Sequence, residues 1–232
     1  MPYLERRSHY EQLLPKWTVD IMQRLQEHHP ESYQHSVRTG FIAYSLWKTL
    51  EPNDLRPEDL FLAGLVHDSG KIKIEKAILQ KKEILTHDEG VIIGKHPYQG
   101  ALMVSEFDST IADIIRGHHR WGTNGNTNGK GVIYEDYNQD EGTLAAKQKY
   151  SDDEYRLIER AQMVLAIADK ADVAINRAHG ERGSTVEYEA PLLYERFKHE
   201  ITEELTNEKF LRLALTTAYD VSTYLTLDFQ SL

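Results

Sequence analysis

The chain contains no cysteine. That excludes disulfides, a thiolate zinc site and a cysteine nucleophile, and with eleven histidines present it turns any metal chemistry towards imidazole and carboxylate ligands. Basic charge is also short, with 27 Lys and Arg against 37 Asp and Glu, a net charge of −10. A diffuse acidic chain lacks the basic footprint of general nucleic-acid binding, although metals can still neutralise a local site for a phosphorylated small molecule. No apolar run is long enough to span a bilayer, and Met1 to Arg7 has no apolar signal region, so the expectation is a cytoplasmic protein without membrane contact. Strand signals are scarce, the exception being Val132-Ile133-Tyr134, which could form a small hairpin. There is no composition break or repeat, and 232 residues suit one domain.

What remains is helical periodicity. Apolar residues at three- and four-residue spacing predict helices from about Arg6 to His29, with Leu14, Trp17 and Ile21, and from Glu31 to Leu50. Pro57-Glu58-Asp59 suits the first turn of the next, which runs to His67-Asp68. Residues 72 to 85 form a small helix or turn. Thr86 with Glu89 is a capping box opening a helix to about Glu106, and Asp108 caps another that ends at Gly117-His118-His119. Ser151 with Glu154 is a second capping box and starts the most helical stretch, to about His179. Two amphipathic helices follow, Pro191 to Thr206 and Glu208 to Leu227, suited to covering the core or to forming a homodimer interface. Between Trp121 and Tyr150 lies a Gly/Asn-rich segment without helical period, as expected of a binding loop or lid. Its Gly129-Lys130 lacks the upstream glycine and following Ser or Thr of a phosphate loop.

The chemistry concentrates in Leu65-Val66-His67-Asp68-Ser69-Gly70-Lys71, where an apolar helix delivers an imidazole and a carboxylate together. Gly70 is expected to stop that helix in a left-handed conformation. Asp169 lies inside Leu165-Ala166-Ile167-Ala168-Asp169, where an unpaired carboxylate would cost several kcal/mol, so it either ligates a metal or pairs with Arg160 or Arg177. His35, His96, His118 and His119 sit on or beside predicted helices. Adjacent imidazoles on a helix diverge by ~100°, so His118 and His119 share a site only at a helix tip.

Taken in order, these residues resemble the HD superfamily of metal-dependent phosphohydrolases, and most of all its HD-GYP branch. Tyr33-Gln34-His35-Ser36-Val37-Arg38 is similar to the first motif, Ala63 to Ile72 to the second, and His96-Pro97-Tyr98-Gln99-Gly100 to the HPxxG element. His118-His119 resembles the paired histidines, and Ile167-Ala168-Asp169 with Asp172 and Arg177 the last motif. The motifs span about residues 31–177. The resemblance implies a single all-α HD-type domain that holds two divalent metals, iron or manganese before zinc, magnesium, nickel or cobalt. His35, His67, Asp68 and Asp169 would hold one. Asp68 would also bridge to a second on His96, His118 and His119. Glu31, four residues before His35, matches a carboxylate that some members add. The implied activity is hydrolysis of a nucleotide or cyclic dinucleotide phosphate ester by metal-activated water. Asp68 is then central to catalysis, and Lys71 contacts a phosphate. Arg120 and Arg177 are further candidate substrate contacts.

The chain departs from that branch in having Arg120 where the family has glutamate after the paired histidines, and Gly131-Val132-Ile133-Tyr134 in place of the GYP motif. A catalytically weak domain that binds a nucleotide or a protein partner for signalling is the alternative. A di-iron oxygenase on the same scaffold is a third reading, disfavoured by Lys71.

Overall fold

The computed structural model describes residues 14–50, 54–120, 147–179, 190–191, 194, 205 and 208–229, with side chains to 176 in the third stretch and over 209–223 in the last. All regular structure among the described residues is helical. The elements are α1 (Lys16–His28), α2 (Pro30–Thr49), α3 (Pro57–Val66), a 3-10 turn (Ser69–Lys73), α4 (Lys76–Leu79), α5 (His87–Gly94), α6 (His96–Ser105), α7 (Ser109–Arg116), α8 (Asp152–His179) and α9 (Glu208–Phe229). This is the all-α bundle that the residue pattern predicts. The Gly/Asn-rich segment to residue 146, its hairpin and most of the predicted Pro191–Thr206 helix lie outside the described residues.

The caps explain most helix starts. Thr86 Oγ1 accepts from Glu89 N while Glu89 Oε2 accepts from Thr86 N at 2.7 Å. Ser151 and Glu154 repeat the arrangement at α8. Asp108 Oδ1 accepts from Thr110 N and Ile111 N at 2.9 Å each. Each such cap satisfies amides that have no partner within their own helix.

Three boundaries differ from expectation. The first helix begins at Lys16, after Pro15, and residues before 14 are outside the described set. The expected Thr86–Glu106 helix is two helices, broken at Lys95. Pro97 accounts for the break, because its ring removes an amide donor and clashes with a continuing helix. Gly70 is not a left-handed stop. It sits within the 3-10 turn, and a Cβ there would lie 2.0 Å from the His96 carbonyl oxygen and 2.7 Å from Gly100 N. Glycine is needed because the turn and α6 touch backbone to backbone.

α3 is the central helix. Leu60, Phe61, Ala63, Gly64, Leu65 and Val66 are all buried, as expected of a helix apolar on every side. It crosses α2 at Gly40 and Gly64, where a Cβ on Gly64 would fall 2.4 Å from the Gly40 Cα. α8 lies across α2 and α3, with Val164, Leu165, Ile167, Ala168 and Ala171 in the core, and α9 packs on α8 and α2 through Leu211, Ala214, Leu215 and Ala218. The close crossing sets the C-terminal end of α3 beside the first half of α2. No helix among the described residues is long and apolar enough to cross a membrane.

Candidate metal centre

Four elements converge on the end of α3. His67 and Asp68 follow its last turn. His35 projects from α2, one to two turns before the Gly40 crossing. His96 is the first residue of α6, and His118 and His119 follow Gly117, which caps α7. Because α7 has already ended, the two rings are not held 100° apart, and their centroids lie 4.1 Å from one another. Asp169 and Asp172, one turn apart on α8, face α2. His67, Asp68, His96, His118, His119 and Asp169 are all buried.

The contacts are short and specific. His35 Nε2 lies 3.0 Å from Asp169 Oδ1 and its Nδ1 2.7 Å from Asp172 Oδ2. Arg38, one turn on from His35, clamps the same Asp172 carboxylate through Nε at 2.7 Å and Nη2 at 3.0 Å. Asp68 sits between the histidines, with Oδ1 3.2 Å from His96 Nε2 and Oδ2 3.6 Å from His67 Nε2. Lys71 Nζ donates to Asp68 Oδ2 at 2.6 Å, and Lys170 Nζ donates to Asp169 Oδ2. Asp169 therefore pairs with His35 and Lys170, and neither arginine weighed from the sequence is needed to explain it.

Charge states follow from these contacts. Burial would lower the His35 pKa, but hydrogen bonds and charge from Asp169 and Asp172 outweigh it and raise the value from 6.5 to about 9. Burial lowers His67 to about 4. His118 and His119 are driven well below the usual histidine range, first by burial and then by their neighbours: His67 and His96 for the one, His118 and Lys170 for the other. Burial alone would raise the Asp68 and Asp169 carboxyls. Lys71, His67 and His96 hold the first well below its ordinary value, and Lys170, His35 and His119 the second.

The donor set fits a divalent cation. His67, His96 and His118 each give their Nδ1 proton to a backbone carbonyl three residues upstream, of Gly64, Ile93 and Ile115 at 2.7, 2.7 and 2.5 Å. This fixes the tautomer that directs the Nε2 lone pair inward, as in histidine metal ligands. His96 Nε2 and His118 Nε2 face each other at 3.3 Å, close enough for one cation to be shared between them. Three overlapping groups have their donor atoms within 4.8 Å: His35, His67 and Asp169; His67, Asp68 and His118; and His96, His118 and His119. All seven ligands expected from the motifs thus converge. Nitrogen and carboxylate donors without thiolate suit iron, manganese or zinc.

A cavity of about 540 Å³ opens over the cluster. His35, Asp68, His96, His119 and Asp169 form part of its wall, with Lys71, Lys170 and Arg38 beside them and Glu31, Gln34 and Asn176 around them. Glu31 is thus at the cavity but outside the compact donor groups. Arg120 does not line it. Its guanidinium is 3.0 Å from Glu159 and 3.2 Å from the Tyr155 hydroxyl. The Arg177 side chain lies outside the described residues. Sequence reasoning missed Lys170, the Arg38–Asp172 clamp and His29, whose Nδ1 caps α2 by accepting from Ser32 N at 3.2 Å. A lysine directly after an aspartate in an alanine-rich helix was the available signal for the first.

Residues 32–174 match the HD domain family. The chain belongs to the HD domain family. A cyclic di-GMP phosphodiesterase of Pseudomonas aeruginosa is 32% identical over 99 residues, 41% of this chain and 24% of that protein. A cyclic di-GMP phosphodiesterase of Thermotoga maritima is 30% identical over 113 residues, 46% of this chain and 31% of that protein. The matches thus span less than a third of either relative's length. The HD domain of the L. monocytogenes phosphodiesterase PgpH superimposes with a TM-score of 0.55 at 15% identity, over 89% of this chain and 98% of that one, and so shares its fold.

Proposed function

We propose that this HD domain is a metal-dependent phosphohydrolase that cleaves a phosphodiester of a nucleotide, with cyclic dinucleotides the first class to examine. The observation that carries the reading is the cluster of inward-directed imidazoles and ionised carboxylates beneath a cavity that also presents two lysines. The names of the two relatives support the cyclic-dinucleotide class. In this reading His35, His67, Asp68 and Asp169 hold one divalent ion, and Asp68, His96, His118 and His119 a second. Glu31 stands by as a further carboxylate at the rim.

When bound, such ions supply positive charge that acidifies a water and neutralises phosphoryl oxygens. The chain's own residues do the rest. The carbonyl-anchored Nδ1 protons keep three rings in one orientation, so the donors are arranged before substrate arrives. The Arg38–Asp172 pair fixes the outer nitrogen of His35 in the same way. Asp68, between the two halves, is the carboxylate able to serve both. Lys71, partly exposed at 21%, can leave Asp68 for a phosphoryl oxygen once the carboxylate has another cation. Arg120, held by Glu159, is not assigned a substrate role.

The test is hydrolysis of bis(p-nitrophenyl) phosphate and a panel of cyclic dinucleotides by manganese-loaded protein, with products separated by chromatography. Release of a linear dinucleotide or a mononucleotide, lost on chelation and restored by manganese, supports the reading. Tight nucleotide binding without turnover would favour the signalling module instead, a reading to which Arg120 in place of the family glutamate lends weight.

A further inference from the structure

Lys170 follows a candidate ligand on α8, and at 9% exposure it is almost fully buried. Its Nζ donates to Asp169 Oδ2 and to His119 Nδ1, the second contact at 3.3 Å. The two acceptors are 3.9 Å apart, both within reach of the one ammonium. They belong to different halves of the centre, Asp169 grouping with His35 and His67, and His119 with His96 and His118.

His119 also breaks the pattern of its neighbours. His67, His96 and His118 give their Nδ1 proton to a backbone carbonyl and turn a lone pair inward. At His119 the Nδ1 accepts from Lys170, which can only donate, so the ring proton of the neutral form sits on Nε2. Nδ1 is engaged by the ammonium and Nε2 by a proton, so neither nitrogen is ready to ligate. Asp169 is less restricted, because Oδ2 faces Lys170 while Oδ1 faces His35. An ion among His35, His67, Asp68 and Asp169 has only to replace the proton that His35 Nε2 shares with Asp169 Oδ1, and it can bind with Lys170 in place. An ion among His96, His118 and His119 must displace the ammonium and release the His119 tautomer, and it meets a like charge while doing so.

We infer that Lys170 is a resident cation that weakens the second metal position, so the chain takes one divalent ion tightly and a second only when Lys170 moves aside. The inference rests on the metal-dependent reading above and deepens it by assigning unequal occupancy to the two positions. It also gives Lys170 a destination, since Lys170 lines the same cavity as Lys71 and its displaced ammonium can face a phosphoryl oxygen there.

The experiment is a calorimetric manganese titration of the chelator-stripped wild-type chain, Lys170→Met and Lys170→Arg, with circular dichroism melts as the check on folding. Wild type is expected to show one tight ion and a second at least roughly tenfold weaker, and Lys170→Met to strengthen the second by roughly 10–100-fold, the range typical of groups that engage metal ligands. Lys170→Arg, which retains the cation, should resemble wild type. Two ions of equal affinity in wild type, or a folded Lys170→Met with an unchanged second ion, overturn the inference. Should Lys170→Met fail to fold, the wild-type isotherm decides by the same criterion. No manganese uptake by any of the three proteins would instead remove the metal reading itself, and this inference with it.

Discussion

Removing metal should make stability depend on pH in a way that His35 dictates. In the metal-free chain its pKa is raised from 6.5 to about 9. A group with a raised folded-state pKa contributes stability that is fully present below the unfolded value and lost as pH rises through the folded one. The interval of 2.5 between those values, at about 1.36 kcal/mol per pH unit, gives about 3 kcal/mol lost between pH 6.5 and 9. For a chain of this size that corresponds to a fall in Tm of roughly 6–12 °C. On the acid side the sign reverses. His67, lowered to about 4, stays neutral where the unfolded chain takes up a proton, so stability falls as pH drops from 6.5 towards 4, and His118 and His119 act in the same direction. The chelated protein should therefore be most stable near pH 6.5. Asp172→Asn, which removes one of the carboxylates on His35, should make the alkaline fall shallower. Saturating manganese should abolish it, because a ligating His35 carries no proton towards the metal. Thermal melts from pH 5 to 9.5, with and without chelator, measure all of this. A chelated protein whose Tm is flat or rises between pH 6.5 and 9 would refute the charge assignment at His35.

Asp68→Ala removes the carboxylate central to both halves of the centre and should eliminate turnover while leaving a folded protein; retained hydrolysis would end the shared-carboxylate account. Gly70→Ala places a Cβ 2.0 Å from the His96 carbonyl oxygen and should cost about 3 kcal/mol by forcing α6 from the 3-10 turn, read as a shifted urea midpoint. The same change should weaken metal uptake, since His96 moves with α6. Trp47, fully buried with its indole N–H donating to the Leu55 carbonyl at 2.7 Å, should cost about 3–5 kcal/mol on conversion to Ala, without altering the metal stoichiometry of the protein that remains folded. Thr86→Ala removes an exposed cap and should cost about 1 kcal/mol in chemical denaturation, with no effect on turnover.

What the sequence made legible was local. Capping boxes at Thr86 and Ser151, the Asp108 cap and Pro57 marked helix starts because each acts over three or four residues. The family resemblance rested on the order His35, His67-Asp68, His96, His118-His119, Asp169, and those donors meet in one cluster. The misses were contacts between residues distant in the chain or competitions that spacing does not reveal. Glycine at position 70 answers to α6, more than twenty residues on, and not to its own helix end. Arg120 is committed to Glu159 across a separation of 39 residues, which no local pattern signals. Pro97 broke a helix that the capping box and apolar spacing would have continued. Lys170 follows Asp169 in an alanine-rich helix, a weak local signal, and the fold of α8 against the end of α7 is what places its ammonium among the candidate ligands.

Bound metal is the property on which the centre's chemistry depends. Inductively coupled plasma mass spectrometry on protein purified without chelator or metal-affinity resin reads it directly. At least one equivalent of iron or manganese per chain, with a further and weaker one taken up on reconstitution, is the predicted result. No metal as purified and none taken up on reconstitution would contradict it, leaving the buried histidines and carboxylates without the cation that their geometry calls for.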